Sequence, residues 1–274
     1  MNRSLSSFNL VTLTLGFAFL YLPILVLIVF SFNESRLVTV WAGFSTKWYV
    51  EILSDPRFLD AAWVSFLVAV KSSFLATILG TMAAYVLVRE RQFWGRKLFS
   101  GMIYAPLVMP EVITGLSLLL LFLALDIDRG MTTIILAHAT FTMCYVSVVV
   151  SARLVSLDRS IEEAARDLGA SQFTCFRLVI LPAITPAIIS GWLLGFTLSL
   201  DDLVIASFVS GPSASTLPMQ IFSQVRRGVS PEINALSTLM ILIVTLGVII
   251  ASLISKRTAL ARERDAQTAK RSSM

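Results

Sequence analysis

Six apolar stretches, each about 20 residues or longer, run through this chain and limit what it can fold into. A helix that crosses the hydrocarbon core of a bilayer needs about 20 predominantly apolar residues. Only 14% of the 274 residues are charged, whereas soluble globular domains carry about a quarter. The sequence therefore predicts an all-α membrane protein with six transmembrane helices, at Leu10–Phe32, Ser65–Val88, Phe99–Leu125, Thr132–Val155, Ala183–Ser207 and Ala235–Ser255.

Positive charge is distributed unevenly around these stretches. Fifteen of the 22 Lys and Arg residues lie in the loops and ends on one side, and six lie on the other. Cytoplasmic loops carry an excess of Lys and Arg, so we expect both termini, including a polar tail at 256–274, in the cytoplasm. The first stretch is too long for a signal-peptide core and is interpreted as an uncleaved anchor. The net charge of +5 then reflects orientation among membrane lipids and not binding of nucleic acid.

One polar segment lies between the fourth and fifth apolar stretches and is too polar to cross a bilayer. Ser160 followed by Glu163 three residues later is typical of a capping box, which predicts a helix that begins at Ser160. Gly169 comes just after the last apolar position and is expected to end that helix. The apolar positions recur at i, i+3, i+4 and i+7 and so form a ridge on one face: Ile161, Ala164, Ala165 and Leu168.

A second short helix is expected from Ser171 to Ile180, where Pro182 would end it. The two helices together predict a helix-turn-helix outside the membrane, with a small apolar ridge exposed on it. On the pattern alone, an ordinary surface connector explains the segment equally well.

Four ionisable residues fall inside the apolar stretches, where charges are costly and often mark a transport pathway. Lys71 lies near the outer end of its stretch and can reach the interface by snorkelling. Glu111, Asp201 and Asp202 have shorter side chains, so they are candidates for a substrate pathway or gate. The alternatives are that the Asp pair caps an outer helix, and that backbone at the Pro110 break holds a protonated Glu111.

A negatively charged pathway favours a cationic substrate. Trp192 and Phe196 lie four residues apart on one helical face, N-terminal to the Asp pair, and aromatic faces can hold ammonium groups. Packing against neighbouring helices explains the same spacing. The single histidine, His138, has no Cys/His cluster around it in the sequence, so a hydrogen bond to a neighbouring helix is expected and a metal site is not.

Sequence patterns for catalysis are missing from the chain. It contains no G-x-x-x-x-G-K-[ST] pattern for nucleotide phosphates and no HExxH pattern. We therefore expect no catalytic residue, no metal and no cofactor in this chain.

The polar segment resembles the EAA loop of ABC importer permeases, which reads EAA, three residues, G, nine residues, I-x-L-P. The same spacing occurs here, with Val179 in place of Ile. The resemblance implies the type I ABC importer permease fold and a single permease domain over 1–274, whose cytoplasmic loop at 156–182 docks onto a dimer of ATPases that bind ATP and Mg²⁺. It assigns coupling to the ATPase to Glu163, Ala164, Ala165, Gly169, Leu181 and Pro182.

Four longer stretches resemble permeases of polyamine importers, and most of all the second permease of putrescine importers. The resemblance implies a multi-pass subunit of the bacterial inner membrane that pairs with a second homologous permease. It also implies a periplasmic polyamine-binding protein as a partner and putrescine as the expected substrate. The stretches are Ala105–Phe122, Asp158–Ser171, Phe196–Pro212 and Arg226–Leu239.

Other interpretations remain open. Importer permeases for spermidine or ferric iron share the EAA loop. An ion-coupled secondary transporter would use the intramembrane acids as proton or sodium sites, but it gives no reason for the loop. An intramembrane hydrolase could use Asp201 and Glu111 as an acid–base pair. Activity of the isolated chain would favour either of the last two.

Overall fold

The described part of the chain is helical. The computed structural model describes residues 7–37, 40–90, 92–212, 214–228, 231–243, 245–246 and 249. Within those ranges the only extended pairing is an isolated antiparallel bridge between Asn33 and Phe44. The predicted all-α class is therefore confirmed, while the predicted tail at 256–274 lies outside the described residues.

Twelve α-helices and one π-helical turn make up the described secondary structure. The π turn, Phe176–Ile180, lies between α8 and α9. The α-helices are α1 Ser7–Phe30, α2 Lys47–Ser54, α3 Pro56–Arg89, α4 Arg96–Val108, α5 Glu111–Ala124, α6 Met131–Ser156, α7 Ser160–Asp167, α8 Gln172–Cys175, α9 Leu181–Leu200, α10 Val204–Val209, α11 Leu217–Arg227 and α12 Pro231–Ile243.

Four described helices are long and apolar enough to cross a membrane. They are α1, α3, α6 and the continuous helix Gln172–Leu200, and the bent pair α4–α5 adds a fifth span if it is counted as one. Of the predicted sixth stretch, α12 covers the beginning, and most of the remainder lies outside the described residues.

Two of the predicted spans are not continuous helices. The third is bent by 119° between α4 and α5, at Met109 and Pro110. Pro110 has no backbone N–H to continue the ladder, and it disfavours helical geometry at the residue before it; Met109 is extended, with ψ 136°. The fifth ends at Leu200 and resumes at Val204. The predicted stretches Phe99–Leu125 and Ala183–Ser207 are therefore helical but interrupted, in agreement with the Pro110 break and the capped outer helix that the sequence left open as alternatives.

The chain divides into two compact units, residues 1–55 with 224–274 and residues 56–223. In the first unit the buried Asn33 organises the turn after α1. Its Oδ1 accepts the backbone N–H groups of Ser35 (3.2 Å) and Ala42 (3.0 Å), and its Nδ2 donates to Val40 O (2.7 Å). The indole of Trp48 donates to Asn33 O (2.7 Å), which fixes α2 against this turn.

The second unit is built on three helices, α3, α6 and α9, that pack against one another. Small side chains dominate their contacts, as is usual where membrane helices approach closely. A Cβ atom at Gly80 of α3 would lie 2.7 Å from the backbone oxygen of Met143 on α6. The buried small residues of α3 are Ala61, Ser65, Ala69, Ser72, Ser73, Ala76, Thr77, Gly80, Thr81, Ala83 and Ala84.

The close approach at Gly80 predicts that even alanine is too large there. Gly80→Ala should lower the free energy of unfolding by about 1–3 kcal/mol through overpacking, despite alanine's better helix propensity. Gly101→Ala on α4 is the matched control, because no described atom lies within 4 Å of its Cβ position. Thermal unfolding of the purified chain in detergent measures both variants. Equal stabilisation of the two would contradict the packing argument.

Candidate coupling loop and candidate pathway

Helix α7 lies in the polar segment and begins at Ser160, as predicted, but the predicted capping box is not formed in the described structure. Asp158 provides the cap instead, because its Oδ1 accepts the backbone N–H of Ser160 at 3.0 Å. That hydrogen bond holds the pKa of the Asp158 carboxyl below its usual value. The cap is therefore intact at neutral pH, and it weakens only when the pH falls into the acidic range where Asp158 is protonated.

The end of α7 is a Schellman motif. The N–H of Gly169 donates to Arg166 O (2.8 Å), and the N–H of Ala170 donates to Ala165 O (3.1 Å), which is the pair of bonds that defines the motif. Gly169 has φ +85°, a left-handed conformation that costs other L-residues about 1–2 kcal/mol. The prediction that Gly169 ends this helix is confirmed.

The second helix of the segment does not stop before the membrane. It passes from α8 through the π turn into α9, so that one helix runs from Gln172 to Leu200. Leu181 follows the π turn, and its N–H bonds to Phe176 O. Pro182 in the next position has no N–H to donate, and its ring needs room. The wider π turn interrupts the regular hydrogen-bond ladder just before this proline. The expectation that Pro182 ends this helix was wrong.

The exposed surface of α7 carries the apolar ridge with charged side chains beside it, among them Glu163. Leu168 is 90% exposed and Ile161 is 48% exposed, and Glu163 and Ala164 are also exposed. Ala165 differs from the prediction, because it is half-buried and packs against the core cluster of α3, α6 and the π turn. The ridge is therefore narrower than predicted: Ile161, Ala164 and Leu168.

The opposite surface of α7 carries a buried ion pair that the sequence analysis missed. Glu162 Oε1 lies 2.5 Å from Arg89 Nη2, at the end of α3, and each side chain is only 7% exposed. Arg159 adds a hydrogen bond to Val88 O (3.0 Å), and the rings of Phe176 and Tyr85 meet edge to face at 5.0 Å. These contacts attach the whole loop to the end of α3.

A polar cleft of about 500 Å³ opens beside this attachment. Charged side chains of both signs line it, and Glu163 lies at the same cleft. The cleft therefore places charged groups beside the attachment of α7 to α3. The lining residues are Tyr85, Arg89, Glu90, Arg159, Glu162, Glu163, Arg166, Ala170 and Gln172.

The ion pair predicts a large difference between two neighbouring carboxylates. Glu162→Gln should lower the free energy of unfolding by about 3 kcal/mol, because it leaves the buried Arg89 charge without its partner. The double substitution Arg89→Met/Glu162→Leu should be less destabilising than either single one, since an apolar pair often replaces a buried ion pair without loss. Thermal unfolding in detergent measures this.

Glu163→Gln serves as the matched control for stability, because Glu163 is exposed on the same helix. Equal loss of stability in the Glu162 and Glu163 variants would show that the pair does not hold the loop.

The three candidate pathway acids occupy different environments. Glu111 is exposed at the first residue of α5, directly after the bend at Pro110. Asp201 is exposed where α9 ends. Asp202 is only 6% exposed, and its Oδ1 accepts the N–H of Ala206 in α10 at 2.8 Å. No hydrogen bond joins Glu111 to either aspartate in the part of the chain that the structure describes.

His138 contacts the break between α9 and α10 from the facing helix α6. Its Nδ1 is 2.7 Å from Ser199 Oγ, and its Nε2 is 3.2 Å from Asp202 Oδ1. Ser199 Oγ is in turn 2.9 Å from Ser72 Oγ on α3. The predicted hydrogen bond from His138 to a neighbouring helix is confirmed, and a capping role for Asp202 agrees with the alternative that the sequence left open.

Trp192 and Phe196 are brought together as their spacing predicts. Their ring centroids are 5.6 Å apart and the planes are nearly parallel. Phe66 on α3 meets Phe196 edge to face at 6.2 Å, and Trp63 stacks on Phe66 at 5.9 Å. The result is a four-ring aromatic ladder across α3 and α9, of which the sequence analysis identified half.

The family model for inner membrane components of binding-protein-dependent transport systems matches residues 76–259. The chain belongs to this family. Among its relatives, the putrescine transport system permease protein PotI of Escherichia coli strain K12 is 58% identical over 97% of both chains. The spermidine/putrescine transport system permease protein PotC of the same strain is 44% identical over 89% of this chain and 92% of PotC.

Solved structures of ABC importers share the fold. A bacterial ABC transporter involved in the import of the acidic polysaccharide alginate matches with a TM-score of 0.68 at 18% identity, over 92% of this chain and 98% of the other. The inward-facing MetNI methionine ABC transporter matches with a TM-score of 0.61 at 16% identity, over 73% and 95%. The type I ABC importer permease fold is confirmed.

Family membership fixes the general role of the chain. It is an inner-membrane permease subunit of a bacterial ABC importer and not an enzyme. Permeases of this family work with an ATPase, a binding protein and a second permease.

Proposed function

We propose that this chain is a permease subunit of an importer that moves putrescine from the periplasm to the cytoplasm at the expense of ATP. The 58% identity with PotI over 97% of both chains is the observation that carries the proposal. The lower identity with PotC, whose name includes spermidine, makes spermidine the second candidate. Both are polyamines, so the same cationic chemistry applies to either.

The loop at 156–182 is the proposed contact with the ATPase dimer. Its exposed apolar ridge, with Ala164 at the centre, suits insertion into a groove, and Glu163 adds a charge at the edge. Ala165 packs α7 against the core, Gly169 ends α7, and Leu181 and Pro182 are the first two residues of α9. ATP and Mg²⁺ would be bound by the ATPase. In this arrangement the loop and both termini lie in the cytoplasm, and residues 1–274 act as a single permease domain.

The exposed acids are proposed to form part of the cation pathway. Asp201 and Glu111 are the two exposed carboxylates within apolar stretches, and a site of one charge sign raises the local concentration of an oppositely charged substrate. Trp192 and Phe196 lie on the helix that leads to Asp201 and offer aromatic faces to an ammonium group. Asp202 supports the same gate from its buried position. A second homologous permease would complete the pathway, with a periplasmic polyamine-binding protein above it.

The coupling assignment predicts different outcomes for two glycines with similar backbone geometry. Gly169→Val should reduce uptake and ATPase binding by about tenfold or more, since valine strains the left-handed position by about 1–2 kcal/mol. Gly95 has a similar φ of +82° and lies just before α4, outside the loop, so Gly95→Val introduces the same strain elsewhere. ATPase co-purification and ATP-dependent putrescine uptake in proteoliposomes measure both. Equal losses from the two variants would refute the coupling role of the loop.

The pathway assignment predicts that charge, and not size, matters at Asp201. Asp201→Asn should lower putrescine uptake by at least about tenfold, because the attraction for the cation is lost, while ATPase binding stays normal. Asp60→Asn, an exposed acid on α3, is the matched control and should retain uptake. Wild-type uptake by Asp201→Asn would remove this residue from the pathway.

Substrate identity is tested in the same preparation. Unlabelled putrescine should compete with labelled putrescine better than spermidine does, and ferric iron should not compete. Uptake without the ATPase would instead favour an ion-coupled secondary transporter.

A further inference from the structure

The imidazole of His138 contacts the chain on both sides of Asp201, at the break between α9 and α10. These contacts of His138 with Ser199 and Asp202 are called the bracket. The break covers Asp201 to Leu203, between α9 and α10. His138 contacts two inward-facing residues, one before and one after the exposed Asp201. Its Nδ1 lies 2.7 Å from Ser199 Oγ, and its Nε2 lies 3.2 Å from Asp202 Oδ1. All three partners are buried, with His138 1%, Ser199 3% and Asp202 6% exposed. Both ring nitrogens therefore contact the same short segment of chain.

A chain of polar contacts runs from α3 to the break. Ser72 Oγ lies 2.9 Å from Ser199 Oγ, Ser199 Oγ lies 2.7 Å from His138 Nδ1, and His138 Nε2 lies 3.2 Å from Asp202 Oδ1. The last contact is close but does not have hydrogen-bond geometry. Asp202 Oδ1 also accepts the Ala206 N–H. His138 of α6 thus contacts the chain before and after Asp201, and Ser72 of α3 contacts it before Asp201.

Burying the polar groups of the bracket costs free energy, and the low dielectric of a membrane interior makes that cost larger. Buried polar groups without partners are expensive in low dielectric, and broken helices at membrane depth persist only where other groups hold the freed backbone. With Ser199 and Asp202 both held inward, Asp201 stays on the exposed side of the break. The position of Asp201 therefore depends on contacts made by its neighbours.

We infer that His138 is a positioning residue of the transport pathway: it holds Ser199 and Asp202 so that the Asp201 carboxylate projects towards the transported cation. The inference rests on the proposed role of Asp201 in that pathway. It adds a residue from a different helix, α6, whose side chain is buried and does not itself meet the substrate.

Non-additivity tests this inference in the assembled transporter, with its partner permease, ATPase and binding protein in proteoliposomes. His138→Phe keeps an aromatic ring and removes both polar atoms. It should lower labelled-putrescine uptake per assembled complex by about tenfold, the range for residues that act through a packed network. In an Asp201→Asn background it should cause no further loss, since the carboxylate that it positions is already absent.

A structural role without positioning predicts the opposite result. The losses from His138→Phe and Asp201→Asn would then multiply to about a hundredfold, which would overturn the inference, as would normal uptake by His138→Phe. Normal uptake by Asp201→Asn would instead mean that the proposed pathway role of Asp201 has failed, and this inference would fall with it. Normal uptake by Asp201→Asn thus marks failure of the proposed pathway role. Normal uptake by His138→Phe together with reduced uptake by Asp201→Asn marks failure of this inference alone.

A milder pair of variants covers the case in which His138→Phe does not assemble. Ser199→Ala removes the Nδ1 partner together with its contact to Ser72, keeps the His138–Asp202 contact, and should also lower uptake without adding to Asp201→Asn. Thr197→Val is its matched control, because among the described residues the Thr197 hydroxyl bonds to carbonyl groups of its own helix, Leu193 O and Leu194 O, and uptake should remain normal. Equal uptake by the Ser199 and Thr197 variants would overturn the inference.

Discussion

The close packing of α3 against α6 is the contact on which both candidate sites depend. Small buried residues let the two helices approach until a single Cβ at Gly80 would collide with the backbone of α6. Arg89 at one end of α3 holds the coupling loop, and Ser72 in its middle joins the network of His138, which α6 carries. A shift of one helix against the other would therefore disturb the loop and the break together.

The polar groups buried within this framework are costly, and their partners explain why they persist. Replacing a buried ion pair by apolar side chains is often neutral for stability, so stability alone does not account for Arg89 and Glu162. What the pair adds is a fixed place for α7, whose exposed ridge is the proposed contact with the ATPase. The contacts of His138 act in a similar way on the segment around Asp201. In both places a buried contact determines where an exposed group lies.

Length and apolar pattern were enough to predict the helical spans, and the spacing of Gly169 predicted the end of α7. The sequence analysis placed the capping box on Glu163 because the pattern is local, whereas the partner of Glu162 lies on a distant helix and leaves no periodic signal. The break at Pro110 and an outer helix after the Asp pair were among the alternatives that the sequence left open, but the 119° bend was not predicted, since an apolar stretch looks the same whether its helix is straight or bent. Burial of Asp202 and exposure of Asp201 depend on His138, and adjacent identical residues cannot be told apart without it.

The continuous helix from Gln172 to Leu200 gives the two candidate sites a physical connection. Its 29 residues extend about 44 Å at 1.5 Å per residue, from the coupling loop to the break at Asp201. The π turn before Pro182 and the break held by His138 lie towards the two ends of this helix, and α9 between them, which contains Pro186, packs against α3 and α6. A displacement of the loop by the ATPase would therefore be carried along α9 as a rigid-body movement and released where the chain can bend. That bend is at Asp201, which is where a gate for a cation would need to move.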